Sequence, residues 1–303
     1  MKYHDLPEAP TRPHTYYGLE SFRVPVNLPG RQDPVSVYGR LAGSGPPLLL
    51  IHGLMTSGYS FRYVVPALAA KYRVIIPDLP GAGRSEAPAD LSLSPRSIAN
   101  VIDGLIRSLG IEPPFVVGNS LGGYQALWFT TLFPDQARKL IVIHAPGFPQ
   151  LPVSALRALL SWPIGRDLYR KLIWRDPEDF VVQNIHYYDK AIMSREEAGE
   201  YAVIFRDRAR TDTFLRLFRE SFDPISMREL AKTLSTARDT GGAPQVPTRL
   251  FWARQDKLVP ASFGQRYQKL IPSAEIVWFD HAGHFVQVDR PEQTVREIFR
   301  FDS

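Results

Sequence analysis

The chain has 303 residues, enough for one large domain or for a core domain with an insertion. Its 44% hydrophobic and 22% charged residues are typical of an ordinary globular protein, and the absence of cysteine excludes disulfides, thiolate chemistry and cysteine-ligated zinc. The formal charge is +5, but acidic residues are interspersed, and the densest basic cluster, 206–210, contains an aspartate. We interpret this cluster as a solvated helix face and expect no nucleic-acid partner.

Residues 1–18 are polar and punctuated by prolines, without the apolar core of a secretory signal. We predict a loose leader there and a cytoplasmic protein. No apolar run approaches the roughly 18 residues that a membrane span needs, so we expect no stable membrane insertion. No feature of the sequence indicates an oligomeric state.

Strands that are apolar on both faces alternate with helical patterns in the first half of the chain. The predicted strands are 47–51, 74–76, 115–117 and 140–143, and the predicted helices are 63–71, 95–109 and 121–133. This alternation predicts an α/β fold with a mostly parallel, doubly wound sheet. Before it, segments 21–26 and 35–41 alternate in polarity and predict a hairpin at a sheet edge.

The loops after two of these strands carry short motifs. His52-Gly53-Leu54 follows segment 47–51, and ligands of open α/β sheets bind outside the carboxyl ends of the strands. Segment 78–85, Asp-Leu-Pro-Gly-Ala-Gly-Arg-Ser, follows the next strand. Its glycine spacing matches neither a phosphate-binding nor a dinucleotide-binding motif, so we predict a tight turn and no nucleotide cofactor.

Segment 118–123 reads Gly-Asn-Ser-Leu-Gly-Gly and stands between a buried strand and an apolar helical pattern. A strand, Gly-x-Ser-x-Gly and a helix in this order are typical of a nucleophile elbow. So tight a turn forces Ser120 into a strained conformation with its hydroxyl clear of the sheet, and side chains at positions 118 and 122 would collide. Ser120 is therefore the candidate nucleophile.

The α/β pattern stops after residue 146, and the next segments are helical in pattern and rich in aromatic residues. The predicted helices are 153–162, 166–174, 177–188, 195–210, 213–222 and 226–234, followed by a polar loop over 236–245. We predict a core that begins at 1–146, a helical cap inserted over 147–242, and the last core strands and helices at 243–303. Cap aromatics such as Trp162, Tyr188 and Phe214 either line an apolar pocket or form the cap's own core.

The α/β pattern returns in the last part of the chain. The predicted elements are a strand over 248–253, a helix over 260–270, a strand over 275–279 and a helix over 291–301. Asp256 follows the first of these strands, and the loop after the second contains His281 and His284.

Together these motifs resemble the α/β-hydrolase superfamily over residues 35–146 and 245–303. The matching residues are His52-Gly53, segments 78–85 and 118–123, Asp256 and Gly283-His284. Within the superfamily the chain is most similar to the branch of serine esterases and carbon–carbon bond hydrolases. It lacks the Gly-Gly-Gly-Pro-Gly loop of the latter, and Ala253 occupies a position that is often glycine. Ser120 stands where similar haloalkane dehalogenases and epoxide hydrolases carry aspartate.

The resemblance implies a catalytic triad in the chain order Ser, Asp or Glu, His. Asp256 ends a core strand and His284 stands in the Gly-His pair, so we predict that Asp256 orients His284 and that His284 takes the proton of Ser120. The competing residues, to which we assign loop, cap or surface roles, are His281, Asp280 and Asp289.

Acyl transfer also needs donors to the developing oxyanion. We expect the backbone N–H groups of Leu121, at the start of the elbow helix, and of Leu54, in the loop after the first His-Gly, to supply them. We interpret His52 as a structural residue that orients this loop. No histidine–carboxylate cluster has the spacing of metal ligands, so we expect neither a metal nor a cofactor.

These features predict a serine hydrolase that cleaves a carboxylic ester, or a related acyl bond, of a small and largely apolar substrate through an acyl-enzyme on Ser120. Two alternatives remain open from the sequence. One is a carbon–carbon bond hydrolase or lyase with the same triad, and the other is a ligand-binding, receptor-like protein of this fold.

Overall fold

The computed structural model describes residues 1–239 and 246–303, and an eight-stranded sheet forms its centre. The strands are β1 (Glu20–Val26), β2 (Val35–Ala42), β3 (Pro47–Ile51), β4 (Arg73–Pro77), β5 (Phe115–Asn119), β6 (Lys139–Ile143), β7 (Thr248–Ala253) and β8 (Glu275–Phe279). Their order in the sheet is β1-β2-β4-β3-β5-β6-β7-β8. From β4 to β8 all neighbours are parallel, so the predicted α/β fold with a mostly parallel sheet is confirmed.

Burial explains the difference between the two kinds of strand. β3, β4, β5 and β6 are buried along nearly their whole length, which matches their continuous apolar sequences. β1 and β2 form the predicted antiparallel hairpin at one edge, and β2 continues the sheet by pairing antiparallel with β4. The carboxyl ends of the parallel strands therefore meet at one edge of the sheet, where the loops with the short motifs lie.

Helices cover both faces of this sheet. The core helices are α1 (Val65–Ala69), α2 (Pro95–Ser108), α3 (Leu121–Leu132), α10 (Ala261–Leu270), α11 (Val286–Asp289) and α12 (Pro291–Asp302). α2 begins with a serine cap, because the Ser94 side chain accepts a hydrogen bond from the Ser97 N–H at 3.3 Å, and Pro95 takes the first helical position. α3 is apolar on all sides and almost entirely buried, which fixes the start of this helix firmly against the sheet.

A helical insertion separates β6 from β7. It consists of α4 (Leu151–Ser161), α5 (Pro163–Arg175), α6 (Pro177–Asn184), α7 (Arg195–Ala202), α8 (Arg208–Ser221) and α9 (Pro224–Asp239). β6 and β7 are neighbours in the sheet, with Leu140 opposite Thr248, so the insertion leaves the sheet continuous. No helix of the described residues is long and apolar enough to cross a membrane.

Three predicted boundaries in the insertion were wrong. The predicted helix 195–210 is broken, because Asp207 accepts a hydrogen bond from the Arg210 N–H at 2.8 Å and thereby starts α8. The predicted helix 177–188 ends at Asn184. Residues 236–239 belong to α9 and not to a loop, whereas the rest of the predicted loop and the boundary between 242 and 243 lie outside the described residues.

The prediction of a loose leader was also wrong. The leader packs on the insertion, where the carbonyl of Pro7 accepts a hydrogen bond from the Arg195 N–H at 2.8 Å. Leu6 and Tyr16 are buried, with exposed fractions of 2% and 3%. Apolar side chains scattered among prolines carry no periodicity, and these contacts therefore left no signal in the sequence.

A buried ion pair ties the insertion to the core. The Arg62 guanidinium lies 3.0 Å from the Glu197 carboxylate, and both side chains are 0% exposed. The Tyr187 hydroxyl donates to the same carboxylate. The guanidinium also lies over the rings of Tyr59 and Tyr63, at 4.4 and 4.3 Å from their centroids. Removing either charge would leave the other without compensation in a dry environment.

Replacing Glu197 should therefore be costly. Glu197→Gln is expected to lower the free energy of unfolding by about 3–5 kcal/mol, because the Arg62 charge stays buried without its partner. Urea unfolding followed by circular dichroism measures the difference.

Glu178→Gln is the matched control, because Glu178 pairs at 2.5 Å with Arg206, whose side chain is 56% exposed. We expect this variant to lose less than about 1 kcal/mol. Equal losses in the two variants would contradict the role of burial.

Candidate active site

Ser120 separates β5 from α3 with the backbone angles φ 55° and ψ −122°. A Cβ atom at Gly122 would lie 2.4 Å from the carbonyl oxygens of Ile51 and His52, and one at Gly118 would lie 2.5 Å from the Gly122 carbonyl oxygen. Both positions therefore require glycine for the close approach of backbone to backbone. The turn has the geometry of a nucleophile elbow, with its serine in a strained region of backbone conformation.

Ser120 and His284 line the same cavity, whose volume is about 200 Å³. Its other walls are mostly apolar and come from both the core and the insertion. Core side chains that line it include Leu54, Met55, Pro146, Leu258, Val259 and Phe285, and insertion side chains include Val153, Leu156, Leu160, Tyr169, Phe214 and Phe218. Of the three aromatic candidates, Phe214 lines the cavity, whereas Trp162 and Tyr188 lie outside it and are 74% and 50% exposed.

The structure brings Asp256 and His284 together. His284 Nδ1 lies 2.7 Å from one carboxylate oxygen, and the other accepts hydrogen bonds from the N–H groups of Leu258 at 2.8 Å and Val259 at 3.2 Å. Burial opposes ionisation, but the His284 imidazole and these hydrogen bonds outweigh it and hold the pKa of Asp256 well below its usual range. The carboxylate thus favours the tautomer of His284 with hydrogen on Nδ1, which leaves Nε2 as the proton acceptor.

The competing residues lie apart from this pair. Asp280 is exposed, and His281 is exposed with Nδ1 3.1 Å from the Tyr188 hydroxyl. Asp289 is half-buried and accepts hydrogen bonds from the N–H groups of Gly283 at 2.7 Å and Tyr188 at 3.1 Å. Burial raises the pKa of Asp289 to about 6, so at neutral pH this carboxylate is an ionised acceptor that holds the loop beside the insertion.

His144 is a site residue that the sequence reasoning missed. It follows β6, its Nε2 accepts a hydrogen bond from the Ala253 N–H at 2.6 Å, and its Nδ1 donates to the His284 carbonyl at 3.0 Å. Its ring stacks on that of His284 with the centroids 5.5 Å apart. Burial lowers the pKa of His144 to about 4, and the imidazole is neutral. A histidine directly after a buried parallel strand is the signal that could have identified it.

His144, Asp256 and His284 offer ligand atoms within 4.8 Å of one another, a cluster that the spacing in the sequence did not indicate. Their hydrogen bonds do not suit a metal ion. The Nε2 lone pair of His144 accepts from the Ala253 N–H, and its Nδ1 carries the hydrogen donated to His284. His144 therefore has no lone pair for a metal, and we interpret the cluster as a hydrogen-bond network.

The two expected oxyanion donors lie beside the elbow. Leu54 lines the cavity, and Leu121 is the first residue of α3, so its N–H stands at a helix N-terminus. His52 holds the loop of Leu54, because its Nε2 accepts from the Leu79 N–H at 2.9 Å and its Nδ1 donates to the Gly53 carbonyl at 2.8 Å. Burial lowers the pKa of His52. The hydrogen bond that Nε2 accepts from the Leu79 N–H requires the neutral imidazole.

Segment 78–85 forms a tight turn. The Asp78 carboxylate accepts hydrogen bonds from the N–H groups of Gly58 at 3.0 Å and Arg84 at 2.8 Å. Gly83 has φ 49°, and a Cβ atom there would meet the same carboxylate at 2.0 Å. Gly83 therefore serves the turn around Asp78, which agrees with the predicted tight turn.

The sheet order, the elbow and the inserted helices define the class of protein as an α/β-fold hydrolase. The family described as alpha/beta hydrolase fold matches residues 46–291. The chain belongs to this family, and the predicted resemblance is confirmed.

Relatives and solved structures agree with this assignment. An uncharacterised hydrolase of Bacillus subtilis is 24% identical over 294 residues, which cover 97% of this chain and 98% of that protein. A 2-hydroxy-6-oxo-6-phenylhexa-2,4-dienoate hydrolase of Burkholderia cepacia is 27% identical over 278 residues, 89% of this chain and 87% of that one. The structure of a thermophilic esterase from Thermogutta terrifontis matches with a TM-score of 0.73 at 20% identity, and the match covers 92% of this chain and 97% of the esterase.

The strain at Ser120 leads to a stability prediction. Glycine adopts the observed backbone angles without steric cost, whereas alanine keeps the Cβ atom and the strain. We expect Ser120→Gly to be more stable than Ser120→Ala by about 1 kcal/mol, after the larger backbone entropy of unfolded glycine is subtracted.

Thermal and urea unfolding of the two variants side by side measure this difference. A glycine variant that is less stable than the alanine variant would mean that the elbow stores no strain.

Proposed function

We propose that this protein is a serine hydrolase that cleaves a carboxylic ester, or a related acyl bond, of a small and largely apolar substrate. The observation that carries the proposal is one apolar cavity lined by both Ser120 and His284. The Asp256 carboxylate is hydrogen-bonded to Nδ1 of the His284 imidazole at 2.7 Å. A hydroxyl needs a base and the base needs an orienting group, and these three residues supply them.

In the proposed reaction, Ser120 Oγ attacks the acyl carbon while His284 Nε2 takes the hydroxyl proton. The N–H groups of Leu54 and Leu121 stabilise the oxyanion that develops on the carbonyl oxygen. The protonated imidazole then gives its proton to the leaving alkoxide, and the alcohol departs from an acyl-enzyme. A water molecule, deprotonated by the same imidazole, attacks the acyl carbon, releases the acid and restores the serine.

We further propose that the insertion, predicted over 147–242, is a cap that sets the choice of substrate while the core performs the reaction. Two observations support this role. Insertion side chains such as Leu156, Tyr169 and Phe214 line the same cavity as Ser120. The backbone carbonyl of His186, between α6 and α7, accepts a hydrogen bond from the His284 N–H at 3.1 Å, so the insertion contacts the loop of the proposed base.

Carbon–carbon bond hydrolysis is the second candidate, and the relative from Burkholderia cepacia favours it. The substrate in the name of that relative is a dienoate and carries a carboxylate. Among the described residues that line the cavity, the polar ones are Ser120, Gln150, Tyr169, Asn184 and His284, and none is a lysine or an arginine. These residues offer hydrogen bonds but no positive charge to compensate a buried carboxylate, so this lining favours an uncharged acyl group.

Trapping of the intermediate tests the proposal. Wild-type protein quenched during turnover of 4-nitrophenyl butyrate should carry a butyryl adduct on the peptide that contains Ser120, detected by mass spectrometry. Ser120→Ala should show no adduct, because the nucleophile is missing. Its rate should be lower by several powers of ten, and the residual rate comes from substrate binding and the oxyanion donors.

Asp256→Asn and Asp280→Asn form the matched pair of controls. The first should lower kcat by about 10²–10⁴-fold through loss of the correct tautomer, and the second should leave kcat near that of the wild type. Turnover without an adduct, or a larger effect at Asp280, would refute the assigned roles. Reversible binding of the ester without any turnover would instead identify a receptor-like protein.

The cavity should also discriminate by acyl length. Burial of each added methylene contributes about 0.8 kcal/mol, so kcat/KM for 4-nitrophenyl esters is expected to rise about three- to fourfold per carbon until the cavity is filled. Phe214→Ala enlarges the cavity and should move the cutoff to longer chains.

Trp162→Ala removes an even larger aromatic side chain that lies outside the cavity, and it should leave the cutoff where it is. A flat chain-length profile that neither variant alters would assign selectivity to the core loops.

A further inference from the structure

Exposed apolar side chains are concentrated on α4 and α5 of the insertion. We call this surface the outer face, formed by Leu151, Leu159, Trp162, Ile164, Leu168 and Leu172, with exposed fractions between 47% and 85%. α4 and α5 contact each other, so these side chains belong to neighbouring helices. Large exposed apolar surfaces are uncommon on proteins that remain free in water, and they mark interaction surfaces.

Helix geometry places these side chains on one side. Ile164, Leu168 and Leu172 follow one another at intervals of four residues and form a row along α5, while Ile173, on the opposite side, is fully buried. The arrangement is the reverse of an ordinary surface helix, whose apolar row faces the core.

α4 is apolar on both of its long sides. Its inner side chains, including Leu156 and Leu160, line the cavity, while Leu151 and Leu159 point outward. Its one charged residue, Arg157, is turned inward to Asp223 at 2.8 Å. An apolar helix side is stable where apolar matter contacts it, and the outer side of α4 lacks such a neighbour within the described residues.

Positive charge accompanies the outer face. Segment 151–175 contains five basic residues and one acidic residue, Asp167, which pairs with Arg170 at 3.0 Å. Lys171 and Arg175 are exposed, have no ion pair among the described residues, and share the side of α5 that carries the apolar row. The face therefore combines apolar area with uncompensated cations.

We propose that the outer face docks on an anionic lipid–water interface, with α4 and α5 lying in the plane of the membrane surface. The apolar row enters the boundary between headgroups and acyl chains, while Lys171 and Arg175 contact anionic headgroups. A second copy of the chain fits less well, because a symmetric dimer would bring two cationic faces together. The helices are too short to span a bilayer, so the binding is peripheral.

Co-sedimentation with vesicles tests the proposal. Full-length protein is mixed with vesicles of phosphatidylcholine alone, or of phosphatidylcholine with phosphatidylglycerol. We expect binding to the anionic vesicles that weakens with salt. Ile164→Asn with Leu168→Asn should weaken it at least about tenfold, and Lys171→Gln with Arg175→Gln should weaken it about 25-fold on anionic vesicles.

Ile225→Asn with Lys232→Gln is the matched control, because it removes an isoleucine that is 67% exposed and an exposed lysine from α9. Circular dichroism melts verify that all variants fold.

Equal binding to neutral and anionic vesicles, or an equal loss in the control, would overturn the proposal. A wild-type dimer in sedimentation equilibrium that the Ile164/Leu168 variant dissociates, without vesicle binding, would assign the face to a second copy. The Ser120→Ala variant should bind vesicles like the wild type, so this test is independent of the proposed reaction.

Discussion

The backbone of His284 is the point on which the site depends, because three separate elements bond to it. Its carbonyl accepts hydrogen bonds from the Asn119 side chain at 3.2 Å and the His144 ring at 3.0 Å, and its N–H donates to the carbonyl of His186 at 3.1 Å. The end of β5, the end of β6 and the insertion therefore meet at one residue. Proton transfer between side chains requires heavy atoms within hydrogen-bond reach. The main-chain bonds hold the backbone from which the His284 side chain extends, and the hydrogen bond to Asp256 at 2.7 Å orients its ring.

The charges around this residue follow from burial. Asp256 carries the negative charge, and the Leu258 and Val259 N–H groups compensate part of it. His144 lies beside the carboxylate at 3.8 Å, but its burial keeps it neutral. A second buried cation would repel a protonated His284 and would compete for Asp256. In the proposed reaction, the His284 imidazolium is therefore the one cation that the Asp256 carboxylate stabilises among these three residues.

The parts of this molecule that the sequence predicted are those determined by local pattern. A continuous apolar segment predicted β3 with its observed bounds, because a strand buried on both faces leaves no room for alternation. The elbow was predictable because its backbone approaches so closely that only glycine fits at positions 118 and 122, and this requirement determines its sequence. Asp256 was placed through the rule that strand ends meet at one edge, and His284 only through the family resemblance. His144 was missed because its contacts, with Ala253 and with the main chain of His284, come from distant parts of the chain and leave no short motif.

The insertion was harder to predict for a physical reason. Hydrophobic periodicity identifies the buried side of a helix only when the opposite side is polar, and the side of α4 opposite the cavity wall is apolar as well. Its sequence could not distinguish cavity-lining Leu156 from exposed Leu159, and only the packing of α4 against α8 separates the two, as in the bond from Arg157 to the carbonyl of Arg219 at 3.0 Å. Because α4 is apolar on two opposite sides, its cavity wall could not be predicted from the sequence. For the same reason, one apolar side of α4 faces outward. A helix between an apolar cavity and water has a reason to be polar on its outer side, and α4 lacks polarity there because, in our proposal, that side does not face water alone.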